Sequence, residues 1–138
     1  MYVLLTKKRI SVILCCLVLG FILAAQFLSV TANGATLSTN DQRVRYIRTL
    51  GITLRDDNFI QKQITIPQEF SNVYNNYNAL QREAGFDLKN YRGKSAFVYT
   101  YNIDDETVVN LIIYKDKLIG GDVSSLKFDG KMTALKGK

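Results

Sequence analysis

From Ile10 to Val30 the sequence runs for 21 residues without a charged side chain, and Lys7, Lys8 and Arg9 stand immediately before it. A helix of this length, at a rise of about 1.5 Å per residue, matches a hydrocarbon core about 30 Å thick. No further basic residue occurs until Arg43, so the positive-inside rule puts Met1 in the cytoplasm and everything after Val30 on the far side of a membrane. The expectation is a cytoplasmic tip over 1–9 and a single-pass transmembrane anchor over 10–30. The competing reading is a secretory signal cleaved near Ala32, where Val30-Thr31-Ala32 offers small residues at suitable spacing. The run is longer than the 7 to 15 residues typical of a signal core, which favours retention. Both cysteines, Cys15 and Cys16, fall inside the run. A disulfide framework, a thiolate zinc site and a cysteine nucleophile are therefore excluded from the rest of the chain.

The net charge of +6 is half accounted for by the basic tip: of 18 Lys and Arg, three precede the apolar run, leaving 15 against 12 Asp and Glu. A remainder of +3, without a recognisable module, is too weak a basic balance for nucleic-acid binding. Residues 31–39, TANGATLST, are small, polar and aperiodic, which suits a linker. The domain is expected over 40–133 and a tail over 134–138, with the polar and basic stretch from Asp129 to Lys138 fraying.

Thr39 and Gln42 have capping-box spacing ahead of Val44, Ile47 and Leu50, with Gly51 placed to end a helix over 40–50. Ile52-Thr53-Leu54 suggests a brief strand, and Gln63 to Ile66 a firmer one that stops at Pro67. Pro67 also suits the first turn of a following helix. Over 68–84, Phe70, Val73, Tyr74, Tyr77, Leu80 and Ala84 recur at three- and four-residue spacings, while Asn72, Asn75, Asn76 and Asn78 take other faces. Gly85 should close this helix in left-handed geometry, with Phe86 folding back near Leu80. Strands over 95–103, 107–114 and 117–125 are joined by connections short enough for hairpins. Phe97, Tyr99, Tyr101, Val109, Leu111, Ile113 and Leu118 then share a face for the long helix to cover. Without a correction Asp122 would lie on that buried face opposite Val109, and a bulge at Gly120-Gly121 would turn it outward. The fold class is α+β: an N-terminal transmembrane helix, then a small domain with two helices packed on a mainly antiparallel sheet containing a three-stranded C-terminal meander.

The stretches IRTLGI, ITIPQEF, YNALQREAGFDLKNYRGK, VYTYNI, LIIYKDKLIGGDVSS and KFDGK, in that order, resemble the domain of unknown function 4830 family of clostridial and related Gram-positive proteins. The similarity covers about residues 43–133. It implies a signal or membrane segment ahead of the domain and brings no reaction with it.

Chemistry is sparse. The chain has no histidine, which removes the commonest general base and transition-metal ligand. Asp104-Asp105-Glu106 lacks calcium-loop spacing and reads as an acidic hairpin tip. Gly120-Gly121 lacks a phosphate-loop context. Ser124, Ser125 and Lys127 have no spacing that makes a dyad. Of the eight tyrosines, Tyr74, Tyr77, Tyr99 and Tyr101 fall at core spacings. The expected site carries no metal and no cofactor. Its candidate residues are Arg43, Arg45, Arg48 and Arg55, a basic cluster just past the linker that suits anionic lipid or a wall polymer. Gly51, Pro67, Gly85, Gly120 and Gly121 carry structural roles. The functional expectation is a membrane-anchored extracytoplasmic binding module, with a protein of the envelope as another partner. The alternatives are a small envelope enzyme drawing on Asp87, Asp104, Asp105, Glu106 and Asp122, or a structural or regulatory subunit of an envelope complex, which a large exposed apolar patch would favour.

Overall fold

The computed structural model describes residues 34–137. The expected tip 1–9, the anchor 10–30 and the cleavage point after Ala32 lie outside the described residues, as does Lys138. Among the described residues no helix is long and apolar enough to cross a membrane. The chain divides into Met1–Thr31 and Ala32–Lys138, and all described residues belong to the second unit.

That unit begins with helix α1 (Asn40–Thr49), strand β1 (Phe59–Thr65), helix α2 (Asn72–Glu83) and a 3-10 turn (Leu88–Tyr91). Strands β2 (Ser95–Asn102), β3 (Thr107–Tyr114), β4 (Lys117–Ser125) and β5 (Met132–Ala134) follow. The five strands make one antiparallel sheet in sequence order. The α+β class holds.

Local chemistry explains the helix ends. The Gln42 N–H donates to the Thr39 hydroxyl and the Thr39 N–H to the Gln42 side chain, the reciprocal capping box, and Gly51 follows the last turn at φ 76°. The second helix is shorter than its 68–84 periodicity implies because Ser71 caps it, accepting from the Tyr74 N–H at 3.2 Å. Pro67 thus ends the strand but lies in the connection, not in the first helical turn. At the other end Gly85 sits at φ 85°, with the Phe86 N–H donating to the Gln81 carbonyl and the Gly85 N–H to that of Arg82. This is the paired-bond Schellman closure. Phe86 itself is buried in the core.

The sheet carries a core on each face. On one, Tyr101, Val109, Leu111, Ile113 and Leu118 pack with Val44 and Ile47 of α1, and on the other Ala96, Ile112 and Ile119 pack with Ile66 and Leu88 under Tyr74 and Tyr77 of α2. The expected face is therefore real in register, with Tyr99 opposite Leu111 and Tyr101 opposite Val109, but the short helix covers it. The long helix takes the opposite face. The reason lies in its inward side: Asn78 and Gln81 are fully buried while Val73 is 80% exposed, so α2 suits the face with polar groups to match, and the aliphatic stripe of α1 suits the aliphatic face.

Other expectations need correction. Ile52-Thr53-Leu54 is not a strand; Ile52 and Leu54 are half-buried against the first core. β1 starts at Phe59, where an exposed edge strand shows no hydrophobic alternation to read. The described part of the linker is docked: Thr36 bridges to Lys117, the Leu37 N–H donates to the Asp116 carbonyl at 2.7 Å, and Leu37 is 4% exposed. The expected fraying tail instead supplies β5, which pairs with Asp122 to Ser124, and Leu135 is buried beyond it.

Between β3 and β4 the register shifts: Ile112 faces Gly120 but Ile113 faces Leu118, so Ile119 is the extra residue. The bulge brings Val123 opposite Val109 and Asp122 opposite Asn110. Asp122 leaves the first core, as expected, but it does not reach solvent; it is 2% exposed on the second face. Gly121 lies beside the bulge at ordinary φ. It is required there because a Cβ would stand 2.5 Å from the Asn110 carbonyl oxygen and 2.6 Å from Leu135. Gly120 makes room for Gln81 and Leu88.

Candidate functional site

The basic cluster does not assemble as a surface. Arg43 is 4% exposed. Its Nε donates to the Tyr101 hydroxyl at 2.8 Å, one terminal nitrogen donates to the carbonyls of Leu37 and Ser38, and its guanidinium lies 3.9 Å from the Tyr99 ring centroid. The Tyr101 hydroxyl passes the chain on to Asn40 at 2.8 Å. Arg43 therefore ties the front of α1 to β2. Burial raises the Tyr101 phenol above its ordinary pKa, with the Arg43 hydrogen bond pulling the other way. Arg45, Arg48 and Arg55 are exposed. Arg48 pairs with Asp57 at 3.0 Å and Arg55 with Asp105, so neighbouring carboxylates cancel much of the remaining charge.

The acidic candidates are dispersed. Asp105 is with Arg55, Glu106 pairs with Lys127 at 2.6 Å, and Asp104 accepts from the Glu106 N–H at 2.8 Å. That last bond holds the Asp104 carboxyl below its ordinary pKa. Asp87 accepts from the Asn78 amide at 2.9 Å and the Lys89 N–H at 3.0 Å. The Asn78 bond is the main reason its pKa is lowered. Asn78 uses its other end on the Leu88 N–H at 2.8 Å, bracing the 3-10 turn against α2. Beside this turn a concavity of about 240 Å³ opens among Phe86, Asp87, Tyr91 and Lys117.

Asp122 occupies the most organised polar position. The Tyr77 hydroxyl donates to its Oδ2 at 2.9 Å; its Oδ1 accepts from the Asn110 amide at 2.9 Å and from the Ser124 hydroxyl. Asn110 is held in turn by the Thr100 hydroxyl at 2.7 Å. Close by, Gln81 Oε1 accepts from the Gly121 N–H at 2.7 Å, and Gln81 Nε2 is buried without a partner among the described residues. Burial first, and then the Asp122 carboxylate, push the Tyr77 phenol well above its ordinary pKa. Tyr77 thus stays a donor. A buried carboxylate held by three donors on a helix–sheet seam fastens α2 to β4. Ser124 is engaged here and Lys127 is with Glu106, so they form no dyad. Among the described residues no three histidine, cysteine or acidic side chains converge on a metal position.

What the sequence reading missed is the edge of the sheet. Among the described residues β1 has a strand neighbour on one side only. All its residues except Ile64 are exposed, including Phe59 at 39% and Ile60 at 71%, with Phe97 at 39% beside them. The signal was available in Phe59-Ile60-Gln61-Lys62, apolar and uncharged residues leading to a single lysine.

An antiparallel meander with one helix on each face, fastened by a buried carboxylate and open along its first strand, defines a small α+β domain. Residues 51–123 match the family model described as a domain of unknown function, DUF4830, and the chain belongs to that family. Comparison with curated proteins and with solved structures gives no match.

Proposed function

We propose that this protein is a membrane-anchored extracytoplasmic binding module of a Gram-positive envelope, acting by contact rather than by catalysis. The observation that carries the binding part is the exposed edge strand β1 with its apolar side chains Phe59 and Ile60. Solvated surfaces seldom keep a long, open strand edge unless something pairs with it. The anchoring part is supported by the 10–30 run and by Lys7, Lys8 and Arg9 before it. Arg45, Arg48 and Arg55, without Arg43, can add a modest attraction to anionic lipid or wall polymer.

Two measurements on the full-length chain test this reading. Alkaline phosphatase fused after Lys138 should be active and a cytosolic reporter at the same point inactive; the reverse result removes the extracytoplasmic placement. Crosslinking in intact cells should give discrete adducts of the chain, and a chain that crosslinks to nothing would count against a binding role.

A further inference from the structure

We infer that β1 is the docking edge for an extended peptide with an acidic residue flanked at alternate positions by apolar ones, which joins the sheet as an added strand. This rests on the binding-module reading and deepens it by naming the class of partner.

The backbone geometry comes first. The Ile66 N–H donates to the Lys94 carbonyl at 2.8 Å, one step beyond the pair Thr65–Ser95 in the β1–β2 register. In an antiparallel ladder such bonded pairs recur at every second residue, so Ile64, Lys62 and Ile60 direct their backbone groups at β2. The Ile103 N–H, bonded to the Thr107 carbonyl at 2.9 Å on the far side of β2, agrees with that phase. Phe59, Gln61, Gln63 and Thr65 consequently aim their N–H and C=O groups at the open edge, where no protein group among the described residues meets them. Satisfied by water alone, they form a ready ladder for another strand.

The side chains then select the occupant. Ile60, Lys62 and Ile64 share a face by strand alternation, and Lys62 is the sole charge in the strand and forms no salt bridge among the described residues. An incoming strand places its alternate residues opposite these three, so an acid opposite Lys62 and apolar residues opposite Ile60 and Ile64 are favoured. A second copy of this chain is disfavoured by the same lysine. The antiparallel register that pairs all seven residues of β1 puts Lys62 opposite its own counterpart, and like charges so placed repel.

The test uses the full-length chain in lipid nanodiscs and fluorescein-labelled heptapeptides followed by anisotropy. TVTETVT should bind saturably, and TVTKTVT should bind about fivefold to tenfold more weakly, from the sum of a lost attraction and a gained repulsion. Lys62→Glu should reverse that order. Of two TVTETVT peptides N-methylated on alternate sets of amides, one should lose binding and the other retain it, because only one set faces β1. Gln61→Pro removes an outward N–H without breaking a bond to β2, and with its unfolding midpoint unchanged it should also abolish binding. Absence of saturable binding, equal affinity for the Glu and Lys peptides, or equal effects of both methylation patterns would overturn the inference. So would a dimer of the wild-type chain that Gln61→Pro dissolves, which would give the edge to a second copy. Crosslinked adducts that persist unchanged in Lys62→Glu and Gln61→Pro would leave the binding role standing and remove this edge from it.

Discussion

Replacing Tyr77 with phenylalanine isolates the contact that fastens α2 to the sheet. Tyr77 is the donor to Asp122 Oδ2, whereas Asn110 and Ser124 both serve Oδ1. Tyr77→Phe keeps the ring against Tyr74 and leaves one oxygen of a 2% exposed carboxylate without a partner. A hydrogen bond to a charged group contributes about 1.5 to 3 kcal/mol, and an orphaned buried acceptor puts the cost toward the upper end. With a urea m-value of about 1.5 kcal/mol/M for a domain of this size, the midpoint should fall by about 1 to 2 M. Tyrosine emission in the full-length chain follows the transition, since there is no tryptophan. Alkaline pH supplies an independent reading. The folded Tyr77 pKa is raised, so its contribution is complete below the unfolded value of about 10 and is lost as pH rises above it. Tyr46, Tyr74 and Tyr101 shift the same way through burial, so the wild type weakens above that pH and Tyr77→Phe weakens less steeply. Asp122→Asn should cost less than Tyr77→Phe, because the tyrosine hydroxyl can turn to accept from the new amide. An unchanged midpoint in Tyr77→Phe, with an unchanged alkaline slope, would refute the fastening role.

Three further outcomes are expected from urea midpoints of full-length variants. Gly85→Val should lose about 1 to 3 kcal/mol from forcing a branched side chain to φ 85°, and a wild-type midpoint would contradict the Schellman closure. Gly121→Ala should lose a comparable amount, about 1 to 3 kcal/mol, through overpacking against Asn110 and Leu135, whereas Gly51→Ala, with nothing within 4 Å of the new methyl, should lose only about 1 to 2 kcal/mol from its left-handed backbone; equal wild-type stability in Gly121→Ala would sink the packing argument. Because Asp87 has a lowered folded pKa, its stabilisation is present above the unfolded value of about 3.9 and lost as pH falls through the folded one; Asp87→Asn should be weaker at neutral pH and flatter in acid, and parallel acid limbs would exclude the linkage.

Much of the fold could be read from residues whose chemistry is local. Thr39 with Gln42, Gly85, and the short connections around β3 act within a few positions, and their elements appear where the pattern places them. The bulge was legible because Asp122 made the uncorrected register too costly. Partnership across long separations was not. Asn78 and Gln81 look like solvated positions until Asp87, Leu88 and Gly121 are brought to them from 9, 10 and 40 residues away. Arg43 resembles its exposed neighbours in sequence, and its burial becomes tolerable only through acceptors and rings brought to it by the fold: the Tyr101 hydroxyl, the Leu37 and Ser38 carbonyls, and the Phe59 and Tyr99 faces. β5 is three residues long, with its apolar support at Leu135, too short for periodicity to register.

The docking of Ala35 to Leu37 beside the β3–β4 hairpin has a mechanical consequence. Tension arriving from residues before Gly34 meets two backbone bonds first, from the Leu37 N–H to Asp116 and from the Leu118 N–H to Ala35, together with the buried Leu37 side chain. The next resistance is α1, riveted by Arg43 to Tyr101. Arg43 also donates to the Leu37 and Ser38 carbonyls, so undocking this segment would take Leu37 out of the first core and loosen the front of α1 with it.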